Sequence, residues 1–276
     1  MNRKINTQST GMSATSLLKL VRQDVEDFLK QPRGIISNER DIQASLAMYL
    51  RNSANHFDSV ELEYLVPVEE LVKFDLSTWT ETLKKKQPQP DSPKLLPETL
   101  YPWKNKYSMW VDIVVCHEGH FVPIELKYAT KPVETVDAVT RFGEPLLNSS
   151  IPLVRDQAAS DLVMYNYWKD VRRIELLNRR YAGIDGGIAV IVTNAPIYWR
   201  GSNLKQAPAY QQFNTAEGQC MEKGEKEWGD ISDKILQSHP NFSLDDCYTC
   251  RWETMNITGL KPKPNGTFRY LLTEIK

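Results

Sequence analysis

The chain has 276 residues, 41% of them hydrophobic and 25% charged, an ordinary soluble globular balance that allows a core of normal size. Its formal net charge of −1 excludes a uniformly basic nucleic-acid coat, so any phosphate contact must come from local patches. No apolar run approaches the ~18 residues of a membrane span, and four scattered cysteines make no disulfide framework, so a reducing cytoplasm is the expected setting.

The opening MNRKINTQSTGMSATS is basic but lacks a following apolar stretch, so it does not read as a secretory signal. Residues 1–14 are expected to be a loose arm and 15–276 a single domain. Leu17, Leu20, Val21, Val25, Phe28 and Leu29 recur at helical spacing over 16–30, and Gln31-Pro32-Arg33-Gly34 stops that helix. A second helix starts near Ser37 or Asn38, with Ile42, Leu46, Ala47, Tyr49 and Leu50 as its apolar stripe. Residues 60–66 alternate as a strand, and the polar, Lys- and Pro-rich stretch 75–106 reads as an exposed insertion.

Two strand-like runs, 107–116 and 120–127, flank Glu118-Gly119, which suits a two-residue hairpin turn. Residues 131–153 look loop-like. A long helix is predicted over 155–181, with Ala158, Leu162, Tyr165, Trp168, Ile174 and Leu177 near one stripe, and then a buried strand at 188–192. Residues 196–246 read as a second, irregular insertion. Residues 248–256 and 267–274 suggest a terminal hairpin across Pro-Lys-Pro-Asn-Gly. The order predicts an α/β fold with one mixed central sheet flanked by helices, insertions and a β-rich C-terminal tail.

The hairpin carries the chemistry. Asp112 stands six residues before Glu118, and Glu125 six after Gly119, so this turn sets the two carboxylates opposite each other on adjacent strands. Lys127 shares their face by the two-residue period. Facing carboxylates in a run as apolar as Met-Trp-Val-Asp-Ile-Val-Val are costly unless a proton or a cation lies between them. A hard divalent ion with oxygen ligands answers that need. The plainer alternative is a solvent-facing hairpin with a loose Glu–Lys pair.

Asp112 followed by Glu125-Leu126-Lys127 resembles the PD-(D/E)xK nuclease superfamily, with its restriction-endonuclease-like fold. The resemblance spans about residues 37–194, by order of elements. It implies a nuclease that hydrolyses phosphodiester bonds of nucleic acid, DNA favoured, with Mg²⁺ or Mn²⁺ held by Asp112, Glu125 and the Leu126 carbonyl. Lys127 would assist the attacking water. Val111 stands where the family often has Pro. The family's helix-borne Glu corresponds to Glu39, which lies on the stripe Glu39, Gln43, Leu46, Leu50; the alternative for Glu39 is a first-turn acid favoured by the helix dipole. The exonuclease-like Gln and Tyr, four apart, are matched only by Gln157, since Tyr165 falls one turn late. A catalytically inactive nucleic-acid-binding or scaffold module on this fold is the alternative function. Cutting both strands would call for two sites, hence a possible homodimer.

Weaker signals remain. Cys220, His239, Cys247 and Cys250 could form a zinc set, with buried strand cysteines as the alternative. His117 and His120 flank the turn and could bind metal at its tip. Tyr198-Trp199-Arg200 suits either base stacking or a loop anchored by Trp199. Lys84-Lys85-Lys86, Lys104 with Lys106, Arg172-Arg173, Arg179-Arg180 and Lys261 with Lys263 are the basic groups that could meet phosphate, with plain solvated surface as the commoner alternative for each.

Overall fold

The computed structural model describes residues 14–67, 108–133, 140–141, 144–145, 154, 156, 160–201, 208–229, 232, 236, 239–260 and 265–276. The insertion 75–106, Gln157, Ala158, Lys261 and Lys263 lie outside the described residues, as do residues 1–13 of the expected arm.

Helix α1 (Ala14–Lys30) is amphipathic and buries Leu17, Leu18, Val21, Val25, Phe28 and Leu29. Helix α2 (Glu39–Arg51) starts at Asn38, whose side chain accepts the Asp41 N–H at 3.0 Å and satisfies one of the donors a helix start leaves open. Strands β1 (Ser59–Pro67), β2 (Ser108–His117) and β3 (His120–Ala129) follow. Helix α3 (Ser160–Arg180) then crosses to β4 (Gly187–Thr193), all of whose residues are buried. Strands β5 (Trp252–Thr254) and β6 (Arg269–Ile275) complete one six-stranded sheet in the order β1-β2-β3-β4-β6-β5. Only β3 and β4 run parallel; the other neighbours are antiparallel. A parallel pair needs a crossover, and α3 supplies it.

The fold is therefore mixed α/β, with a central sheet between helices. Ile124, Leu126 and Tyr128 of β3 and Ile188, Val190 and Val192 of β4 pack with α1 and α2. The alternate residues Ala129, Ala189 and Ile191 pack with Trp168, Val171 and Ile174 of α3. Strand periodicity thus divides one sheet between two cores.

Two expectations change. Tyr248–Thr249 does not extend the terminal hairpin but pairs with Cys220–Met221 in a small separate sheet. The described part of 196–246 is not merely irregular: Phe213, Met221, Trp228, Phe242 and Leu244 are buried against α3. Phe213, Trp228 and Phe242 gather around Tyr165 with ring centroids 5.0–5.5 Å away. No helix among the described residues is long and apolar enough to cross a membrane.

Candidate active site

The hairpin turn is the one expected. Glu118 and Gly119 both have positive φ, 52° and 79°, the backbone that a tight two-residue turn demands. Pairing runs from His117 with His120 to Ile113 with Ile124, as that turn dictates. There the ladder stops, one step before Asp112 would face Glu125.

The break has a local cause. Ile113 and Val115 point towards α1 and α2, whereas Met109 and Val111 join Leu176 and Leu177 on the α3 side. The alternation of β2 slips at Asp112. Its neighbour strand slips at the same level: Glu63 of β1 has φ 50°, and the pair Glu63–Asp112 is missing from an otherwise regular register. Gln43 of α2 fills the gap, donating from Nε2 to the Asp112 carbonyl at 2.8 Å and to Glu63 Oε1 at 3.0 Å.

Beyond the break, β3 presents main-chain groups that have lost their partner strand. Asp112 Oδ2 accepts the Leu126 N–H at 2.7 Å, and Glu39 Oε2 accepts the Tyr128 N–H at 3.0 Å. Two carboxylates stand where ladder carbonyls would be. Glu39 thus points into the sheet gap, and the helix-dipole reading does not account for it. The Tyr128 ring turns away, with its hydroxyl donating to the Ile36 carbonyl.

Lys127 Nζ lies 2.9 Å from the Leu126 carbonyl and 2.7 Å from Asp170 Oδ2 on α3. Glu125, 2% exposed, faces Arg173 Nη1 at 3.2 Å, but its Oε1 has no hydrogen-bond partner. Arg173 instead donates to Asp170 Oδ1 at 3.0 Å and to the Trp110 carbonyl. Lys169 Nζ is 3.9 Å from Asp170 Oδ1 and donates to Asn166 Oδ1 at 3.0 Å.

The electrostatics divide these acids into two kinds. Burial raises the proton affinity of Glu39, Asp112 and Glu125, and Lys127 or Arg173 offsets it only in part. Asp170 is also buried, yet Lys127, Lys169 and Arg173 outweigh that burial and hold it well below the usual carboxylate range. Burial would strip the proton from Lys127, but Asp170, Glu125, Glu39 and Asp112 prevail and keep it an ammonium. Burial lowers Lys169 to about 8.

Asp112 meets the Leu126 amide, Lys127 reaches the Leu126 carbonyl and Glu39 the Tyr128 amide, whereas Glu125 lies by Arg173 on the α3 side, so the expected ladder pair of Asp112 and Glu125 is not formed. Asp170, Arg173, Lys169 and Gln43 were missed as site residues. Gln43 was visible on the Glu39 stripe, and Asp170 with Arg173 form an acid–base pair three apart between the apolar Trp168, Val171 and Ile174. Arg172-Arg173 is neither a solvated pair nor a phosphate patch: Arg173 bonds Asp170 and Arg172 pairs with Glu175 and Asp245. Arg179 also pairs with Asp245.

The remaining candidates resolve simply. Cys220 and Cys247 are exposed and Cys250 is buried, all as free thiols. His239 stacks edge-on against Tyr165, while His117 and His120 pair with Asp58 and Asp185. Trp199 is buried against Trp252, which favours the anchor over base stacking. Among the described residues no three His, Cys, Asp or Glu side chains form a group able to hold a metal ion.

No family model, curated protein or solved structure matches the chain. Function must therefore be argued from the site itself.

The donor set still suits a hard cation of small demand. Mg²⁺ is commonly held by one or two carboxylates and keeps several waters, so it needs no three-acid cage. Asp112, Glu125 and the Leu126 carbonyl supply oxygen donors only. The Glu125 Oε1 atom is buried and meets Arg173 Nη1 in an ion pair at 3.2 Å without hydrogen-bond geometry, so it keeps acceptor capacity that such an ion would use.

Proposed function

We propose that the chain is a divalent-metal-dependent phosphodiesterase of the PD-(D/E)xK kind, cutting nucleic acid, with DNA favoured. One observation carries this reading: a buried carboxylate that Arg173 pairs with only loosely, a half-buried second carboxylate and a lysine ammonium lie where β2 and β3 part. Asp112, Glu125 and the Leu126 carbonyl would hold the ion, which when bound polarises the phosphate and lowers the pKa of water. Lys127 has a narrower role than a general base. As a permanent ammonium it orients the attacking water and stabilises negative charge growing on the phosphate oxygens. Asp112 and Glu39 hold the β3 edge open by satisfying its amides, so the gap does not close into a regular ladder.

The restriction-endonuclease-like order of elements supports the same reading: helix α2, hairpin β2–β3, crossover α3 and parallel β4. The test is cleavage of single- and double-stranded DNA and RNA with Mg²⁺ or Mn²⁺. Wild type cuts at least one of them. Asp112→Ala and Lys127→Ala lose about 10²-fold or more of that activity. Cleavage that survives both substitutions rejects the site.

A non-cleaving nucleic-acid-binding or scaffold module is the second reading. The observation that favours it is the ion-pairing of Lys127 and Arg173 with Asp170, which lets the cluster stand as a purely structural network. Absence of both cleavage and Mn²⁺ binding would select it.

A further inference from the structure

We infer that Asp170 is a positioning residue: it holds Lys127 and Arg173 on the α3 side, so that Asp112 and Glu125 remain available to a divalent cation. This rests on the metal-site reading above and adds a residue outside its ligand set.

The geometry makes Asp170 the shared anchor. It is 1% exposed, with Oδ2 2.7 Å from Lys127 Nζ and Oδ1 3.0 Å from Arg173 Nη1. Each cation has a second tie to a main-chain carbonyl, Lys127 to Leu126 and Arg173 to Trp110. Arg173 thus donates to Asp170 and Trp110 while also forming an ion pair with Glu125. Its Nη1 reaches Glu125 Oε1 at 3.2 Å in an ion pair that lacks hydrogen-bond geometry, a looser hold than the 3.0 Å bond to Asp170 Oδ1.

Removing the Asp170 charge changes the partners on offer. Two buried cations would then have Glu125, Asp112 and Glu39 as their nearest anions, and unpaired buried charge is expensive enough to force that re-pairing. The acids meant for the ion would be consumed by side chains of the same protein. Asp170 acts at a distance from the ion, as an outer residue that orients inner ones.

The experiment is titration of wild type and variants with Mn²⁺ alone, followed by electron paramagnetic resonance of the free ion, with circular dichroism as the check on folding. Asp170→Asn should bind Mn²⁺ about 10- to 100-fold more weakly, the usual effect of losing an outer partner. Asp170→Glu, which keeps the charge, should restore most of the affinity. The triple variant Asp170→Asn, Lys127→Met and Arg173→Met removes both released cations and should return to within about a factor of two of wild type. Weak binding by the folded triple variant overturns the inference, because Asp170 would then act as a ligand itself. Unchanged binding by Asp170→Asn overturns it alone, leaving the metal site standing. If Asp170→Asn does not fold, the triple variant decides by the same criterion. Wild type that binds no Mn²⁺ overturns the metal site and this inference together.

Discussion

Lys169 shows how far burial moves a single group. Its ammonium is lowered from an ordinary 10.5 to about 8, chiefly by desolvation. Between these values the folded chain binds this proton less tightly than the unfolded chain. The stability contribution is therefore present above about pH 10.5 and lost as pH falls through about 8. Wild type should gain stability across that window by at most about 1.4 kcal/mol per pH unit. Lys169→Met should lose that rise, as read by urea unfolding at pH 7.5, 9 and 10.5; equal slopes would refute the shift. Gln43 works by hydrogen bonding instead. Gln43→Leu strands the Asp112 carbonyl and should cost about 1–3 kcal/mol in the same assay. At this scale the hairpin that carries Asp112, Glu125 and Lys127 was legible, because a two-residue turn and period-two spacing fix its register as far as Ile113 and Ile124. Asp170 and Arg173 were not, since their partners Lys127 and Glu125 lie more than 40 residues away in sequence. Nothing local distinguishes such a pair from solvated helix charges.

Strands and turns set the site's shape. The hairpin holds Glu118 at φ 52°, a left-handed conformation that glutamate tolerates poorly and asparagine accepts. Its main-chain N–H donates to Asp58 Oδ2, a bond that any side chain at this position preserves. Glu118→Asn should therefore stabilise the chain by about 0.5–1 kcal/mol, measured by thermal unfolding. Gly186 is stricter, with φ 124° and an added Cβ only 2.2 Å from the Ile275 carbonyl. Gly186→Ala should cost about 2–4 kcal/mol, because both backbone and packing must yield. The helices, the hairpin and β4 could be read from apolar periodicity. The kink at Asp112 could not, because it needs Glu63 and Gln43 to act together across three elements. Tyr248–Thr249 escaped its predicted hairpin for a similar reason: its partner Cys220–Met221 is set by tertiary packing.

Across the whole molecule, α3 joins the candidate site to the C-terminal core. Near its start it carries Tyr165, within an aromatic cluster of Phe213, Trp228 and Phe242. Asp170 and Arg173 lie one to two turns further along. Phe213 is fully buried, so Phe213→Ala should cost about 3–5 kcal/mol. If the C-terminal region is one cooperative unit with the sheet, unfolding of this variant stays a single transition by fluorescence and circular dichroism. Loading the site should show at the same scale. At about 100 times its dissociation constant, Mn²⁺ should stabilise wild type by about 2.7 kcal/mol and leave Glu125→Gln unchanged.

The two β3 amides that donate to carboxylates offer a direct spectroscopic handle. In ¹⁵N-labelled protein, the Leu126 and Tyr128 amide protons should resonate far downfield, deshielded by the anionic oxygens of Asp112 and Glu39. Drawing Asp112 charge towards an added diamagnetic Mg²⁺ would move the Leu126 signal upfield while Tyr128 shifts less. A pair of cross-peaks two residues apart would then report which carboxylate has changed its allegiance, in a spectrum that requires no substrate.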